Sequence, residues 1–296
     1  MKKLNLFLSL GLCLGWWTNT VQAQETAYFT SHPTISPDGQ LIIFSYEGDL
    51  WKASSQGGQA DRITALPGEE INPRISPDGK WLAFSSNQYG NKDVYLMAMD
   101  GGEIKQLTFH DANDEVDSWS WDSQTIYFTS GRYNRFTSYQ VGVEGGTAAR
   151  VFPHYFNTIH QVTEMPEGAL LFTNSWESYS AANRKRYKGA FNPDILSYHP
   201  RTGAFTQLTD YEGKDFWQSV DRQGNIYFVS DEANGEYNLY TLENGEKKAL
   251  THFDTSIKRP VVSANGEKVV FERDYQIYSY DVNTGRHQAL NLRINR

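Results

Sequence analysis

The chain has 296 residues, with 35 acidic and 27 basic side chains and a formal net charge of −8. This acidic balance disfavours nucleic acids and anionic membranes as partners, because both would repel the protein. Its single cysteine, Cys13, excludes a disulfide framework.

Residues 1–23 have the pattern of a secretory signal peptide. Lys2 and Lys3 precede an apolar stretch at 4–14, and Val21-Gln22-Ala23 is typical of a cleavage site. The apolar stretch is too short to span a bilayer. We therefore expect a cleaved leader, no membrane span, and a periplasmic or secreted protein. Cleavage would remove the cysteine and two lysines, which would change the formal charge to −10.

The remaining residues, 24–296, repeat one motif six times: a tight turn followed by a short apolar strand that ends in phenylalanine. The turns are Ser36-Pro37-Asp38-Gly39, Ser76-Pro77-Asp78-Gly79, Trp121-Asp122-Ser123, Pro166-Glu167-Gly168, Arg222-Gln223-Gly224 and Ala264-Asn265-Gly266. The strands end at Phe44, Phe84, Phe128, Phe172, Phe228 and Phe271. The turn centres lie 40 to 56 residues apart, a period typical of repeat folds.

The local chemistry of the repeat predicts β-structure. Asp-Gly and Asn-Gly tolerate the positive φ angles of tight hairpin turns, so we expect a hairpin at each copy. Runs such as Leu41-Ile42-Ile43-Phe44 are too short for a helix and too continuous for a strand that is wetted on one face. Neighbouring sheets should therefore cover these strands on both sides.

A third and a fourth strand complete each unit. Asp93-Val94-Tyr95 is typical of the third strand, Gly101-Gly102 of the second turn and Lys105-Gln106-Leu107-Thr108 of the fourth strand. Four strands in about 40 to 45 residues predict an all-β, six-bladed β-propeller of four-stranded antiparallel blades. A β-sandwich or an open stack of hairpins would use similar strands, but neither explains six near-equal units. The blades should span about 26–66, 67–109, 110–153, 154–209, 210–252 and 253–296.

The C-terminus is expected to finish the sixth blade. Gln288-Ala289-Leu290-Asn291-Leu292 is predicted as its last strand, and the chain stops four residues later. This ending suits a free-standing protein as well as a domain of a longer polypeptide.

The sequence contains no recognisable catalytic or metal-binding motif. G-x-S-x-G, H-E-x-x-H, the P-loop, G-x-G-x-x-G and paired cysteines are all missing. The seven histidines are scattered, and polar side chains at the ends of strands usually find local partners. We therefore predict no catalytic residue, no metal and no cofactor in this chain.

Binding residues are expected on one face of the ring. The connections between blades, and between the second and third strands of a blade, are the longer ones, and we call their side the loop face and the opposite side the turn face. The candidates for peptide or partner binding are Glu69, Glu70, Asp114, Arg132, Arg135, Arg186, Lys188, Lys258 and Arg259. The acids follow blades one and two and the bases lie elsewhere, so this face could orient peptides, whose two ends carry opposite charges. Ordinary solvated loops would carry the same charges.

Blade four contains an insertion at 174–193 that mixes aromatic and basic residues. Its aromatics are Trp176, Tyr179, Tyr187 and Phe191, which argue against disorder. We expect the insertion to dock on a neighbouring surface. Stacking on nucleic acid would use the same residue types, but secretion and the acidic balance disfavour it.

The repeats resemble a known type. Ser-Pro-Asp-Gly turns, the strand Gly48-Asp49-Leu50-Trp51, Gly-Gly turns and Leu-Thr fourth strands are similar to the WD-like repeats of TolB and tricorn. Within that type, Glu69-Glu70-Ile71-Asn72-Pro73, Tyr133-Asn134-Arg135-Phe136 and Arg184-Lys185-Arg186-Tyr187-Lys188-Gly189 resemble the N-terminal six-bladed propeller of secreted tricorn-like serine peptidases.

The resemblance implies a non-catalytic domain that docks on a second propeller, a PDZ domain and a serine peptidase core. Such a domain would border the path by which peptides, or unfolded polypeptide, reach or leave a catalytic chamber. A stand-alone TolB-like periplasmic adaptor is one alternative, although TolB has a separate domain before its propeller. A propeller attached to another hydrolase, such as a prolyl oligopeptidase-like enzyme or an amidohydrolase, is the other.

Overall fold

The computed structural model describes residues 24–133, 135–152, 158–243 and 245–295. They form six β-sheets, one for each predicted repeat, which confirms the six-bladed propeller. The predicted leader at 1–23 lies outside the described residues and stays a prediction. Among the described residues, no helix has the length and apolar character needed to cross a membrane.

The first three blades lie in chain order. Blade one contains β1 (Gln24–Thr26), β2 (Ser31–Ile35), β3 (Leu41–Tyr46), β4 (Asp49–Ser54) and β5 (Gly58–Arg62). Blade two contains β6 (Glu70–Ile75), β7 (Trp81–Ser86), β8 (Asp93–Ala98) and β9 (Lys105–Gln106). Blade three contains β10 (Asp114–Trp119), β11 (Thr125–Ser130), β12 (Thr137–Gly142) and β13 (Gly145–Arg150). The innermost strands of these blades are β2, β6 and β10, whereas β1 lies at the outer edge of blade one.

The other three blades include one short helix, at the start of the insertion. Blade four contains β14 (Ile159–Glu164), β15 (Leu170–Asn174), α1 (Trp176–Ser180), β16 (Ile195–His199) and β17 (Ala204–Gln207). Blade five contains β18 (Asp215–Val220), β19 (Ile226–Ser230), β20 (Asn238–Glu243) and β21 (Glu246–Ala249). Blade six contains β22 (Ile257–Val262), β23 (Lys268–Arg273), β24 (Gln276–Asp281) and β25 (His287–Ala289), and a last strand, β26 (Leu292–Asn295), follows it in the chain.

The core lies between neighbouring blades. The innermost strands contact one another in sequence and β22 returns to β2, so the ring is closed. The phenylalanine that ends each apolar run is at most 1% exposed in all six blades. Ile42 and Ile43 point to opposite sides of β3, and both are buried. The prediction that sheets cover these strands on both faces is confirmed.

A repeated polar contact ties the fourth strand to the third. In blade two, Thr108 donates its hydroxyl to Asp93 at 3.1 Å and accepts the backbone N–H of Val94 at 2.9 Å. Blade five uses Thr251 and Asn238 in the same way, with a distance of 3.0 Å. The Leu-Thr sequence of the repeat is therefore explained by a hydrogen bond that satisfies a buried backbone donor.

The ring is closed at the outer edge of blade one, where the structure differs from the sequence-based expectation. The last strand of blade six ends at Ala289, so it does not reach Leu292. Strand β26 instead pairs in parallel with β5, and β1 pairs antiparallel with β26. Leu292 and Ile294 are buried there against Ala60 and Ala27. Both ends of the described chain thus join one six-stranded sheet, which resists opening of the ring.

Candidate functional site

Six residues at equivalent positions of the innermost strands form a ring around the axis of the propeller. These bulge residues are His32, Asn72, Asp117, Gln161, Trp217 and Arg259, and each lies where the pairing with the second strand shifts register. All except Asp117 have φ between +50° and +57°. A bulge redirects a side chain out of the regular alternation of a strand. All six side chains line one central cavity.

The cavity has a volume of about 450 Å³ and lies toward the loop face, since Glu69, Lys92 and Tyr179 from that face also line it. A second cavity of about 120 Å³ lies toward the turn face and is lined by Pro37 and Pro77. The two share Arg74, Asp117, Thr163, Gln218 and Pro260. Together they form an axial channel whose wide end opens among the long loops.

Arg74 and Asp117 lie at the junction of the two cavities. Arg74 donates from Nε to the backbone oxygen of Asp117 and from Nη1 to that of Pro73, both at 2.8 Å. The Asp117 carboxylate accepts from the hydroxyl of Thr129 at 2.7 Å. Burial lowers the pKa of Arg74 to about 10 and raises the pKa of Asp117 to about 7. Near neutral pH the aspartate is therefore only partly ionised.

Arg259 and His32 form the wall between blades one and six. Nη1 of Arg259 lies 3.0 Å from a carboxylate oxygen of Glu272, and its guanidinium lies 5.5 Å from the centre of the Trp217 ring. The same carboxylate oxygen accepts the backbone N–H of His32 at 2.8 Å. Burial, followed by the nearby cations Arg259 and Arg74, lowers the pKa of His32 well below its usual value. His32 is therefore a neutral imidazole at pH 7.

The opposite wall carries a more balanced set of charges. Lys92 Nζ lies 3.1 Å from a carboxylate oxygen of Glu115. Tyr179 stacks on Phe136 at 4.2 Å between ring centres, and burial together with the Glu115 and Asp117 carboxylates raises the pKa of Tyr179. The phenol is neutral at pH 7, and its hydroxyl is hydrogen-bonded to Glu115, which lines the same cavity.

Two of the nine predicted binding residues line the cavity. Glu69 is exposed at the mouth, and Arg259 lies in the wall. Lys258 is half-buried beside Arg259, and Arg135 is exposed in the hairpin between β11 and β12. Whether these residues bind peptides or partners stays a prediction.

The other five predicted residues form hydrogen bonds or ion pairs with other residues of the protein. They are Glu70, Asp114, Arg132, Arg186 and Lys188. Glu70 is buried and accepts from Thr64 at 2.8 Å, and burial raises the pKa of Glu70 to about 7. Asp114 is buried and pairs with Arg132. Each of these carboxylates keeps one oxygen without a hydrogen-bond partner among the described residues.

The insertion docks on blade five, as predicted. Arg186 lies 3.0 Å from the Glu236 carboxylate and Lys188 pairs with Glu212. Tyr237 donates its hydroxyl to the backbone oxygens of Ala182 at 2.8 Å and Arg184 at 3.0 Å. Because these cations have acidic partners, the insertion adds less net positive charge to the loop face than its sequence suggests.

The sequence-based choice of binding residues did not include most of the bulge residues. His32-Pro33, Asn72-Pro73 and Arg259-Pro260 share a signal that could have found them: a proline at the same place in the first strand of three blades. Proline cannot donate to a strand ladder and is typical of bulges. The bulge residues of the other three blades are not followed by proline, so the sequence does not reveal them. These are Asp117, Gln161 and Trp217.

Replacing Asp117 by asparagine should stabilise the protein in a pH-dependent way. Because the folded state raises the pKa of Asp117 to about 7, stability falls as the pH rises from the usual range of aspartate to about 7 and is level above it. Asp117→Asn should therefore raise the free energy of unfolding by about 1 to 3 kcal/mol at pH 8 and change it little at pH 4. Urea unfolding at both pH values measures this. Equal changes in the free energy of unfolding at pH 4 and pH 8 would contradict the raised pKa of Asp117. The matched control is Asp111→Asn, on an exposed loop.

Comparison with known proteins gives a consistent result. The family model of the tricorn protease N-terminal beta propeller domain matches residues 27–286. Tricorn protease homolog 1 of Streptomyces coelicolor is 27% identical over 256 residues, which cover 83% of this chain and 23% of that relative. The tricorn protease homolog of Saccharolobus solfataricus is 26% identical over 253 residues, which cover 82% and 23%. The chain thus spans about a quarter of the length of these relatives.

Solved structures show the same fold. The crystal structure of the tricorn protease superposes with a TM-score of 0.75 at 18% identity, over 89% of this chain and 26% of that one. TolB from Acinetobacter baumannii gives a TM-score of 0.66 at 19% identity, over 90% and 65%. At these identities the structures support the propeller fold alone.

Proposed function

The chain belongs to the tricorn protease N-terminal β-propeller family, and from this membership we propose that it serves as a non-catalytic domain of a secreted tricorn-like serine peptidase. In this role the propeller borders the path by which peptides enter or leave the catalytic chamber. Proteolysis itself would belong to the rest of the longer polypeptide.

The axial channel is the observation that carries this proposal. Its wide end is lined by backbone bulges and by charged, amide and aromatic side chains. An extended peptide offers hydrogen-bonding groups along its whole length, which polar walls can meet without a fixed sequence. A volume of this size is typical of a small-molecule site, which holds a segment of about a drug molecule's size.

Photo-crosslinking tests the peptide path directly. An unfolded peptide that carries benzoylphenylalanine at successive positions should crosslink to residues at the wide end of the channel, such as Asn72 and Gln161. Mass spectrometry of the crosslinked fragments locates the attachment. Crosslinks confined to the outer strands of the blades, or none at all, would overturn the proposal.

Docking on the following domains is proposed for the loop face. Seven of the nine exposed large hydrophobic side chains of the described residues lie in its connections, namely Tyr28, Phe29, Tyr89, Phe109, Tyr133, Phe191 and Tyr275. Phe29 and Tyr275 contact each other at 5.1 Å between ring centres and are 72% and 70% exposed. Exposed aromatic clusters of this kind are typical of interaction surfaces. The occupant that we propose is another domain of the same polypeptide, because the relatives are about four times as long.

Hydrogen–deuterium exchange distinguishes a covered from a free loop face. Segments 26–31 and 273–276 should exchange more slowly in the longer polypeptide than in this chain alone. The turn-face segment 281–286 is the matched control and should not change. Equal exchange in both proteins would refute docking through these aromatics.

The alternative is a stand-alone TolB-like adaptor that holds a protein partner on the same face. Its support is the fold likeness to TolB. The two candidate functions predict different crosslinks in the channel, because an adaptor has no reason to crosslink peptides at the bulge residues.

A further inference from the structure

We propose that the central cavity binds an organic carboxylate through Arg74 and Arg259, with the Trp217 ring against the organic part of the ligand. The carboxylate could be the C-terminus of a peptide or a small free acid. The inference rests on the cavity itself, and the peptide is the source that the proposed function favours.

Arg74 has donor capacity that the protein does not use. Its two hydrogen bonds go to the backbone oxygens of Asp117 and Pro73, and its Nη2 has no acceptor among the described residues. Within the described part of the chain, the carboxylates of Glu115 and Glu272 pair with Lys92 and Arg259 and not with Arg74. The direct hydrogen-bond partners of Arg74 are neutral carbonyls, and the acid that acts on it electrostatically is the nearby Asp117 carboxylate, so part of its attraction is left for an anion.

Arg259 supplies a second cation to the same cavity. Its Nη1 contacts both oxygens of Glu272, at 3.0 and 3.1 Å, which leaves Nε and Nη2 without a hydrogen bond to a described residue. Arg259 also lowers the pKa of Arg74, as expected for two like charges that share one space. Guanidinium groups suit a carboxylate better than ammonium groups do, because each can donate two parallel hydrogen bonds.

The acids of the cavity do not cancel these two cations near neutral pH. Glu115 is paired with Lys92, and Glu69 lies at the exposed mouth. Asp117 takes a hydrogen bond from Thr129 and is only partly ionised at pH 7. The excess charge is small, and the nearby acids would repel a dianion. A monoanion such as a carboxylate therefore fits better than a phosphate ester.

Apolar groups complete the site. Trp217, Val116 and Pro260 line the cavity beside the two arginines. The Trp217 indole lies under the Arg259 guanidinium and holds it by a cation–π contact. Such a wall favours a carboxylate attached to carbon over an inorganic anion, because only the former has apolar surface to bury.

Carboxylate binding should weaken as the pH rises from 6 to 8. The Asp117 carboxylate ionises in this interval and then repels the ligand. The groups that face it are Arg74 on β6, Glu115 on its own strand and Tyr179 on α1, with Thr129 and Gln161 as neutral partners. Asp117→Asn should remove this pH dependence.

Calorimetric titration with matched ligands tests the proposal. The probes are N-acetyl-trialanine with a free C-terminus, its C-terminal amide, and acetate. The free acid should bind at pH 6 about tenfold or more tightly than the amide, and Arg74→Gln should weaken the acid by a similar factor while leaving the amide unchanged. Arg286→Gln, an exposed arginine on the turn face, is the control and should have no effect.

Each outcome decides the question. Equal binding of acid and amide, or no binding of the acid at millimolar concentration, would overturn the carboxylate site, and the crosslinking result would still decide the peptide path. Acetate binding as tightly as the peptide acid would support the site and assign it to small free acids. Arg74→Lys keeps the positive charge but cannot donate two parallel hydrogen bonds, and it is a second variant in case Arg74→Gln misfolds. If Arg74→Lys melts like the wild type and binds the acid equally well, the role of Arg74 is refuted.

Discussion

Glu177→Gln should lower the free energy of unfolding by about 3 kcal/mol, because it removes the acid from a buried charge cluster. Glu177 is fully buried in the first turn of α1 and accepts from Arg184 Nε at 2.8 Å. Lys214 Nζ, also fully buried, lies 2.8 Å from the same carboxylate. A glutamine would leave the Lys214 ammonium in the interior with only neutral partners.

The exposed pair of Lys248 and Glu243 provides the matched control. Its two charged groups are 3.2 Å apart and both side chains are more than half exposed, so Glu243→Gln should change stability by less than about 1 kcal/mol. Urea unfolding of both variants measures the difference. The double variant Glu177→Gln/Lys214→Met should recover part of the loss, since it removes the stranded charge. Equal effects of Glu177→Gln and Glu243→Gln would show that Glu177 does not anchor the insertion.

Ile294→Asp should be the most damaging single change in the last strand. Ile294 is 2% exposed, pairs with Ala60 of β5 and with Glu25 of β1, and packs in the core of blade one. A carboxylate there would be buried without a partner, which costs about 4 kcal/mol or more. Because β26 closes the ring, we expect loss of a cooperative thermal transition or a much lower midpoint.

Gln288→Asp is the corresponding control on β25. Gln288 is exposed and lies six residues earlier in the chain, on the fourth strand of blade six. Calorimetry should find its midpoint close to that of the wild type. If Ile294→Asp also melts like the wild type, β26 does not close the ring in solution.

The repeat unit could be predicted from the sequence because its determinants are local. Ser36 donates to Asp38 at 2.5 Å and Ser76 to Asp78 at 2.6 Å, within turns whose Gly39 and Gly79 have φ of +73° and +75°. Such turns and the apolar runs after them depend on neighbours in the chain. These turns and apolar runs determine the hairpins, and the six copies of the unit determine the number of blades in the ring.

The closure of the ring and the ring of bulge residues could not be predicted in the same way. The alternating apolar residues Leu290, Leu292 and Ile294 suit an extension of β25 as well as a crossing to β5, and only the partner sheet decides between them. A bulge at Asp117 or Gln161 depends on the register with the second strand, which the sequence of one strand does not contain. Charge pairing across blades has the same long-range origin, as for Arg186 and Glu236, 50 residues apart.

Obstruction of the channel in the longer polypeptide tests the central claim most directly. Glu69→Cys places a thiol at the wide mouth, and Gln56→Cys places one on the exposed turn face. After labelling with a polyethylene glycol maleimide, we expect the Glu69→Cys protein to degrade an unfolded polypeptide severalfold more slowly, with the labelled Gln56→Cys protein unaffected. Equal rates for the two labelled proteins would contradict a peptide path along this propeller.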